Sequence, residues 1–574
     1  MTQQWWKNSV VYQIYPKSFK ASGDNPSGDL QGIISKLDYL QKLGVDVLWL
    51  TPVYASPQRD NGYDISDYYS IDPSYGTLAD MQELIAKAHS RGLKVIMDIV
   101  VNHTSTAHQW FQEALRDPSD PYYNYYIWRD GRCNHIHHPA SLASNDMSPP
   151  TNWLSKFGGS SWQFVPETGQ YYLHLFDVTQ ADLNWENPQL RNEIYTMMRW
   201  WLDLGVDGFR LDVINLISKE QTFLDDTLDT PTNDGRKYYT DGPKIHDYLK
   251  EMNREVFSYK DGIITVGEMS STSIANCIRY TNPREHELDM VFSFHHLKVD
   301  YANGNKWSSM HYDFLQLKKI ISDWQLQMQT GGGWNALFWS NHDQPRALSR
   351  FGDDKNHPYQ SATMLATALH CMRGTPYVYQ GEEIGMTNPQ FSNLEDYRDV
   401  ESINAYKLMT AEWGYSHTQA LAILAQKSRD NARTPMQWDD MPNAGFTSGT
   451  PWIKAADNYP QINVTSALAD SNSVFYYYQR LIQLRKDQQI IADGEIRFYQ
   501  LEHPQLLVYS RHYEGENLLV VCNFSAENCA LELSGLNLVL TQALNVMLTN
   551  DSNNQVTQKI VQLAPFGCVV LKDF

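Results

Sequence analysis

Residues 205–214 read GVDGFRLDVI, a short apolar run that opens on a glycine and ends in charged side chains. Runs of this kind, rich in β-branched residues and mostly without polar alternation, recur eight times, and helical patterns lie between them. They occupy 10–16, 45–53, 94–103, 205–214, 263–269, 289–294, 336–343 and 376–384. Strands buried on both faces, each followed by a helix, predict an α/β fold of the (β/α)8 TIM-barrel type.

Two stretches interrupt the alternation of strand and helix. After the third strand comes a long segment rich in Trp, Tyr, Pro, Gly and Asn, too long for an ordinary loop. After about residue 490 the pattern changes to short alternating strands. We therefore predict a barrel formed by residues 1–103 and 177–489, an inserted small domain at 104–176, and a C-terminal antiparallel β-sandwich at 490–574. The segment RCNHIHHP (132–139) is interpreted as a surface loop of the insertion.

The bulk composition restricts the function. The chain has 574 residues, 66 acidic against 46 basic side chains and a formal charge of −20, which argues against nucleic acid or an anionic membrane as partner. The first residues carry no basic region followed by an apolar run, so we expect neither a signal peptide nor a membrane span. Six scattered cysteines without a CxxC pair fit free thiols in the cytoplasm. We expect a monomer.

Polar side chains stand at the ends of four predicted strands, where TIM barrels usually carry their active sites. Three carboxylates meeting in one pocket repel each other, so one is expected to keep its proton near neutral pH. A protonated acid beside an ionised carboxylate is the pairing that cleaves glycosidic bonds. The side chains are Asp98, Asn102 and His103 after strand three, Arg210 and Asp212 after strand four, Glu268 after strand five, and His342 and Asp343 after strand seven.

These four strand ends, in this order, resemble the signature regions of the α-amylase superfamily, glycoside hydrolase family thirteen. The resemblance covers essentially the whole chain. It implies that Asp212 is the nucleophile, Glu268 the general acid and base, and Asp343 the stabiliser of the transition state in a configuration-retaining reaction. It further implies that His103 and His342 bind sugar hydroxyls and that Asp98 pairs with Arg210 behind them. Asn102, like Asp98 and Val213, is expected to give structural support to the site.

Three further segments resemble the oligo-1,6-glucosidase branch, whose members remove one glucose from a chain end. They are RDNGYDI (59–65), QADLNWENP (180–188) and RDNARTPMQW (429–438). The resemblance implies that Asp60 and Arg433 hold the terminal glucose and that Tyr63 stacks on it. Phe157, Phe176 and Gln180 are expected to contact the substrate too. Val213 resembles branches that prefer α-1,6 or α-1,1 bonds, although plain strand packing explains a valine there equally well.

The segment FHHLKVDYANGNKW (294–307) is locally basic in an acidic chain. Together with TVGEMSST it resembles the phospho-α-(1,1)-glucosidases of this branch. That likeness implies hydrolysis of trehalose 6-phosphate, a small phosphorylated disaccharide, to glucose and glucose 6-phosphate, with Lys298, Lys306 and His296 near the leaving sugar. Solvated lysines and packing histidines are the plainer interpretation. An oligo-1,6-glucosidase or dextran glucosidase acting on isomalto-oligosaccharides is the alternative, and a non-catalytic amylase-like scaffold conflicts with the three carboxylates.

No cofactor is expected. Related enzymes often bind calcium in an Asp-rich loop before the first helix, and here that loop is altered to ASGDNPSGDLQG, with Asp24, Asn25 and Asp29 retained. Calcium takes six or more oxygen ligands, and this shortened, proline-containing loop offers no clear set of that size. We predict that no metal is required.

Overall fold

The computed structural model describes residues 4–133, 147–227, 233–536 and 544–573. Most of the His-rich segment 132–139 therefore lies outside the described residues. The centre of the molecule is a parallel barrel in which the strand order is β6-β5-β4-β3-β2-β1-β8-β7, and a bridge between Val291 and Asn335 joins β6 to β7. Its strands are β1 Val11–Ile14, β2 Val47–Leu50, β3 Lys94–Ile99, β4 Gly208–Leu211, β5 Ile264–Met269, β6 Met290–Ser293, β7 Ala336–Leu337 and β8 Thr375–Tyr379. The predicted TIM barrel is confirmed.

Strand register brings the reactive strand ends to one level. Arg210 of β4 lies opposite Asp98 of β3, and Leu211 lies opposite Gly267 of β5. The residues that follow Leu211 and Gly267 are Asp212 and Glu268. Because parallel strands end at the same edge of the sheet, these side chains open onto the same face of the barrel.

The helices cover the outside of the barrel and bury the apolar side of each β/α unit. Between β1 and β2 run Leu30–Ile34 and Leu37–Leu43, and Leu78–His89 follows β2. The later barrel helices are Pro188–Asp203, Ile245–Met252, Ile274–Thr281, Phe314–Gly331, Pro358–His370 and Val474–Asp487. Thr77 begins the helix Leu78–His89 with a capping box, which satisfies backbone donors that the helix leaves free.

The segment between β3 and β4 leaves the barrel through two paired strands. His103–Ser105 pairs antiparallel with Gln180–Asp182. Beyond this stem, Trp128–Arg129, Trp162–Val165 and Gln170–Leu173 form a three-stranded sheet, and Gln109–Arg116 is a helix. The stem places His103 and Gln180 on neighbouring strands at the edge of the barrel.

Two features of the barrel differ from the sequence prediction. The strand β7 has only two residues, whereas 336–343 was predicted, so His342 and Asp343 lie in a loop beyond it. The segment between β8 and Val474–Asp487 also holds the helices Val400–Ala411, His417–Lys427, Asp430–Arg433 and Val464–Ala469, and the sequence prediction did not separate the first two. These helices carry Arg429 and Arg433 to the barrel mouth.

The C-terminal part consists of two antiparallel sheets with a shared apolar core. Lys318 ties it to the barrel, since its ammonium donates to the carbonyl oxygens of Gln500, His503 and Leu506 at 2.9, 2.5 and 3.1 Å. The larger sheet contains Glu495–Tyr499, Leu506–Tyr513, Glu516–Asn523, Cys568–Asp573 and Leu544–Thr549, and the smaller one Cys529–Glu532, Ile560–Leu563 and Gln555–Val556.

Within the described part of the chain, the cysteines bear on the predicted free thiols and the helices on the predicted lack of a membrane span. Cys277, Cys371, Cys522, Cys529 and Cys568 are free thiols. Among the described residues, no helix is both long and apolar enough to cross a membrane.

Candidate active site

Arg210 is the hub of the site. Its side chain is 1% exposed, and one nitrogen, Nη1, reaches Asp98 Oδ1 at 2.7 Å and Asp212 Oδ1 at 2.6 Å. The other nitrogen, Nη2, lies 2.6 Å from Glu268 Oε2. One guanidinium thus orients three carboxyl groups from three successive strands, as planar fork geometry allows. The two predicted reacting groups, Asp212 and Glu268, are held side by side.

A tight turn after β4 brings the main chain into this cluster. Val213 adopts the left-handed conformation, with φ 35° and ψ 39°, which is rare for a β-branched residue. In this turn its N–H donates to Glu268 Oε2 at 3.1 Å. The strained residue therefore connects the strand that carries Asp212 with the carboxyl group of Glu268.

Electrostatics disfavour a negative charge on every carboxyl group of the cluster at once. Burial raises the pKa of Asp212 well above its usual range; Arg210 opposes the shift, and the charges of Glu268 and Asp98 add to it. Burial also raises the pKa of Asp98 to about 6, against the pull of Arg210. A hydrogen bond between Asp212 and Glu268 adds to the rise in the pKa of Asp212.

Asp343 sits in the opposite electrostatic environment. Its Oδ1 accepts from Arg433 Nη2 at 2.5 Å and lies 3.4 Å from Arg429 Nη1. Burial alone favours the neutral acid, but the surrounding cations, with both arginines among them, hold the pKa of Asp343 well below its usual value. Asp343 is therefore ionised, and it lines the same cavity as Glu268.

The inner end of the site is closed by side chains from the β2 loop and the inserted stem. Gln180 Nε2 donates to Asp60 Oδ2 at 3.1 Å and to the Tyr63 carbonyl at 3.2 Å. His103 Nε2 lies 3.1 Å from the same carbonyl oxygen, so a sugar hydroxyl competes with it for this donor. Burial raises the pKa of Asp60 to about 7, although Arg429 and Arg433 oppose the shift.

Behind His103 runs a fully buried polar chain. Asn102 Nδ2 lies 3.2 Å from His103 Nδ1 and donates to Asp182 Oδ1 at 3.1 Å. Lys219 Nζ donates to Asn102 Oδ1 at 2.8 Å and pairs with Asp182 at 2.7 Å. Burial lowers the pKa of His103 to about 4, so His103 is a neutral hydrogen-bonding group rather than a cation.

Aromatic rings line the walls of the pocket. Tyr63 stacks on His342, with ring centres 5.3 Å apart and planes inclined by 3°, and its hydroxyl donates to Asp98 Oδ2 at 2.9 Å. Phe176 packs against His103 and Phe157 at 5.2 and 5.8 Å. Phe157 in turn lies 5.1 Å from the Arg429 guanidinium. The structure thus brings together the predicted aromatic residues and the predicted polar ones.

A cavity of about 220 Å³ opens on the outer side of the carboxyl cluster. Val213, Glu268, Asp343 and Lys298 line it, with Ser270, Ser271, Phe294, Leu297, Tyr301 and Gln344 completing the wall. Lys298 is exposed, and within the described part of the chain no carboxylate pairs with it. Burial of its stem and the charge of Arg236 lower the pKa of Lys298. The cavity therefore has a cation at its rim.

Two residues expected beside Lys298 are directed elsewhere. Lys306 Nζ pairs with Glu401 at 2.7 Å, because the helix Val400–Ala411 packs over this loop. His296 Nε2 donates to the Phe338 carbonyl at 2.9 Å, and burial lowers the pKa of His296 to about 4. The structure does not bring Lys306 or His296 into the cavity that Lys298 lines.

Three cationic residues near the site escaped the sequence prediction. Arg429 pairs with Asp399 at 2.5 Å and lies 3.5 Å from Asp60, so it stands nearer to Asp60 than the predicted Arg433. Burial and the charge of Arg236 lower the pKa of Lys156 to about 8 against the pull of Asp234, and Lys298 adds to the shift. Arg236 itself is ion-paired with Asp234. Only Arg429 had a signal in the sequence. In RDNAR two arginines stand four residues apart, and one helical turn places such residues on one face.

In the altered loop before the helix Leu30–Ile34, hydrogen bonds occupy the carboxylate of Asp29. Asp29 Oδ1 accepts from Gly32 N at 2.7 Å, and Oδ2 accepts from Ser22 N, Ser22 Oγ and Asn25 Nδ2 at 2.9, 2.8 and 3.1 Å. In the described ranges, no group of three or more His, Cys, Asp or Glu side chains could hold a metal ion. Four donors thus occupy the two carboxylate oxygens of Asp29.

Comparison with known proteins agrees with this geometry. The family model "Alpha amylase, catalytic domain" matches residues 13–494, and "Maltogenic Amylase, C-terminal domain" matches 496–570. The chain therefore belongs to the α-amylase family of glycoside hydrolases.

Individual members of the family are similar to this protein along nearly its whole length. The chain is 55% identical to the trehalose-6-phosphate hydrolase of Bacillus subtilis, over 99% of this chain and 98% of the relative. It is 48% identical to the oligo-1,6-glucosidase of Parageobacillus thermoglucosidasius, over 100% and 99%. The crystal structure of Bacillus licheniformis trehalose-6-phosphate hydrolase superposes with a TM-score of 0.92 at 54% identity and covers 99% of both chains.

Proposed function

We propose that this protein hydrolyses trehalose 6-phosphate to glucose and glucose 6-phosphate, with retention of configuration. The observation that carries the proposal is the pairing of a glycosidase carboxyl cluster with a cation at the rim of the adjoining cavity. The 55% identity to a trehalose-6-phosphate hydrolase along nearly the whole chain supports the same substrate.

The reaction follows from the electrostatics of the cluster. In the first step Glu268 gives a proton to the bridging oxygen, while the carboxylate of Asp212, which Arg210 orients, attacks the anomeric carbon and forms a glycosyl-enzyme. In the second step Glu268 takes a proton from water, which attacks the same carbon and frees Asp212. Arg210 stays bound to both carboxyl groups throughout, so the two groups keep their relative position.

Asp343 acts on the charge that develops on the sugar. An oxocarbenium-like centre is positive, and a carboxylate that stays ionised next to it stabilises the transition state more than the neutral ground state. The arginines that hold Asp343 ionised also hold it in place, so little reorganisation is needed when the charge appears.

The glucosyl unit occupies the closed inner end. Asp60, Gln180, His103 and His342 offer hydrogen bonds to its hydroxyls, and Tyr63 offers a flat apolar face. Because ion pairs from Arg429 and Arg433 close this end, only a terminal glucose fits, which makes the enzyme exo-acting.

The phosphate of the leaving sugar sits at the outer cavity. A dianion is repelled by a chain of net charge −20, but this distant field is screened beyond about 8 Å at physiological salt. Lys298 stands at the rim, and Lys156 and Arg236 are close enough for their charges to act on it or with it. Asp234 already balances the charge of Arg236, so a bound anion chiefly relieves the repulsion between Lys298 and Lys156.

The decisive experiment compares two substrates in one variant. Lys298→Ala is expected to lower kcat/KM for trehalose 6-phosphate about 30-fold, which corresponds to about 2 kcal/mol for a lost charge-assisted contact. Hydrolysis of p-nitrophenyl α-glucoside, which carries no phosphate, should be unchanged. The matched control is Lys319→Ala, which removes an exposed lysine distant from the cavity.

Three outcomes separate the possibilities. An equal loss on both substrates contradicts the phosphate role of Lys298. Turnover of isomaltose by the parent protein far above that of trehalose 6-phosphate favours an oligo-1,6-glucosidase instead. No turnover of either substrate contradicts the glycosidase proposal altogether.

The location of the enzyme in the cell follows from its substrate. Trehalose 6-phosphate is a charged metabolite that does not cross membranes unaided, so we place the enzyme in the cytoplasm, where free thiols persist. We also propose that it acts as a monomer and without a metal ion.

A further inference from the structure

Gln13 is a buried residue that contacts a histidine of the site, His342. It lies on β1, and its side chain is 1% exposed. Its amide nitrogen Nε2 is 2.8 Å from His342 Nδ1. A buried amide next to a histidine either packs the barrel interior or controls which ring nitrogen carries the proton.

The charge opposite His342 decides the direction of this hydrogen bond. His342 Nε2 lies 3.4 Å from Asp343 Oδ2, and Asp343 is held ionised by its arginines. If Gln13 accepted a proton from Nδ1, the lone pair of Nε2 would face a carboxylate, which is repulsive. If Gln13 donates to Nδ1, the proton sits on Nε2 and points toward the negative oxygen.

The other end of the ring is left open. Within the described residues, His342 Nε2 is buried and has no hydrogen-bond partner of good geometry. Tyr63 and Tyr15 both stack on the His342 ring, with ring centres 5.3 and 5.9 Å away, and this packing restricts its rotation. A buried N–H without a partner costs free energy, and a sugar hydroxyl at this point relieves that cost.

We propose that Gln13 is a positioning residue that fixes His342 as the Nε2–H tautomer, so that His342 donates a hydrogen bond to the glucosyl unit. The role rests on the proposed glycosidase function, but the tautomer itself is a property of the free protein. His103 differs: its Nε2 already has the Tyr63 carbonyl as acceptor. Of the two site histidines, His342 is therefore the one that gains a partner when substrate arrives.

The first test needs no substrate. In protein labelled with ¹⁵N-histidine, NMR should show His342 with a protonated Nε2 and an unprotonated Nδ1 at neutral pH, the resonances being assigned by their loss in His342→Gln. In Gln13→Met the preference should weaken, with a mixture of both tautomers. A proton on Nδ1 in the unaltered protein overturns the proposal, even if the variant fails to fold.

The second test asks whether Gln13 works through His342. Gln13→Met should lower kcat/KM for p-nitrophenyl α-glucoside about tenfold in the parent. In a His342→Gln background, whose side-chain amide has no tautomers, the same change should cost less than twofold. Gln325→Met is the matched control, because Gln325 is buried and accepts a hydrogen bond from the Arg373 backbone N–H at 3.2 Å. Equal losses in both backgrounds mean that Gln13 is a packing residue only.

Discussion

At the scale of single residues, Val213 shows how one backbone angle serves the chemistry. A valine with φ 35° stores strain of about 1–2 kcal/mol, and it persists because the surrounding barrel fixes it. The N–H that this turn directs at Glu268 helps to hold the carboxyl group beside Asp212. From the sequence, strand packing and a role in selecting the glycosidic bond explained Val213 equally well, because a valine does not indicate a left-handed turn.

Asp212 carries the sharpest residue-level prediction. Asp212→Asn keeps the shape and the contact with Arg210 but removes the attacking negative charge. We expect activity on trehalose 6-phosphate to fall by at least 10⁴-fold, the order seen when a covalent nucleophile is lost, while the circular dichroism spectrum stays unchanged. Residual turnover within a hundredfold of the parent contradicts the nucleophile assignment.

The residues that sequence could and could not predict differ in what places them. Asp98, Asp212 and Glu268 follow strands, and strand register fixes where they point. Lys306 lies in a long loop, and its direction depends on Glu401, almost a hundred residues further along the chain. No local pattern encodes such a partner, so Lys306 and Lys298 looked equivalent in sequence although the structure separates them.

At the scale of elements, the stem of the inserted segment is locked to the loop after β4 by a buried ion pair. Lys219 follows β4, and Asp182 ends the second strand of the stem; both side chains are at most 1% exposed. Asn102 lies between them and His103, so the pair connects the position of the insertion with the sugar-binding end of the pocket.

Lys219→Met tests this connection. It leaves Asp182 buried without its cation, and breaking one side of a buried pair costs about 3–5 kcal/mol. We expect the free energy of unfolding in urea to fall by that amount and KM for p-nitrophenyl α-glucoside to rise, because Asn102 loses its anchor. Lys319→Met, which breaks the exposed pair with Asp323, should change stability by less than about 0.5 kcal/mol. Similar losses in both variants refute a special role of the buried pair.

The helices Val400–Ala411 and His417–Lys427 show why element prediction failed in one place. The sequence predicts eight β/α repeats followed by a long segment of helix and loop. This segment has no clear hydrophobic periodicity from which its packing could be predicted. Its position is set by tertiary contacts, such as Glu401 with Lys306. The barrel strands were predictable because their apolar runs are continuous, and the helical pair was not because its pattern is mixed.

At the scale of the whole molecule, the raised pKa of Asp60 makes the protein less stable as the pH rises. The pKa of Asp60 is about 7 in the folded state and near 4 in an unfolded chain. Between these values the folded protein binds a proton that the unfolded chain has released, so the contribution of Asp60 to stability falls with rising pH.

Asp60→Asn removes this dependence. At pH 8 the free energy of unfolding of the variant should exceed that of the parent by up to about 4 kcal/mol, since the pKa of Asp60 is raised to about 7 and one unit of pKa corresponds to about 1.4 kcal/mol. The variant should therefore unfold at a higher urea concentration. The difference should shrink toward pH 4, where both forms are neutral at this position. Asp323→Asn, at an exposed carboxylate, serves as the control. A variant that is less stable than the parent at pH 8 contradicts the raised pKa.

The closed inner end of the pocket also dictates the order of events in a catalytic cycle. The glucosyl unit can enter and depart only through the space that the phosphorylated sugar occupies, because Asp60, Arg429 and Arg433 seal the other side. Glucose 6-phosphate must therefore be released first, and glucose, the unit that went in deepest, comes out last. Accumulated glucose blocks the empty enzyme and competes directly with incoming substrate, so the turnover of this protein is tied to how quickly the cell removes its simplest product.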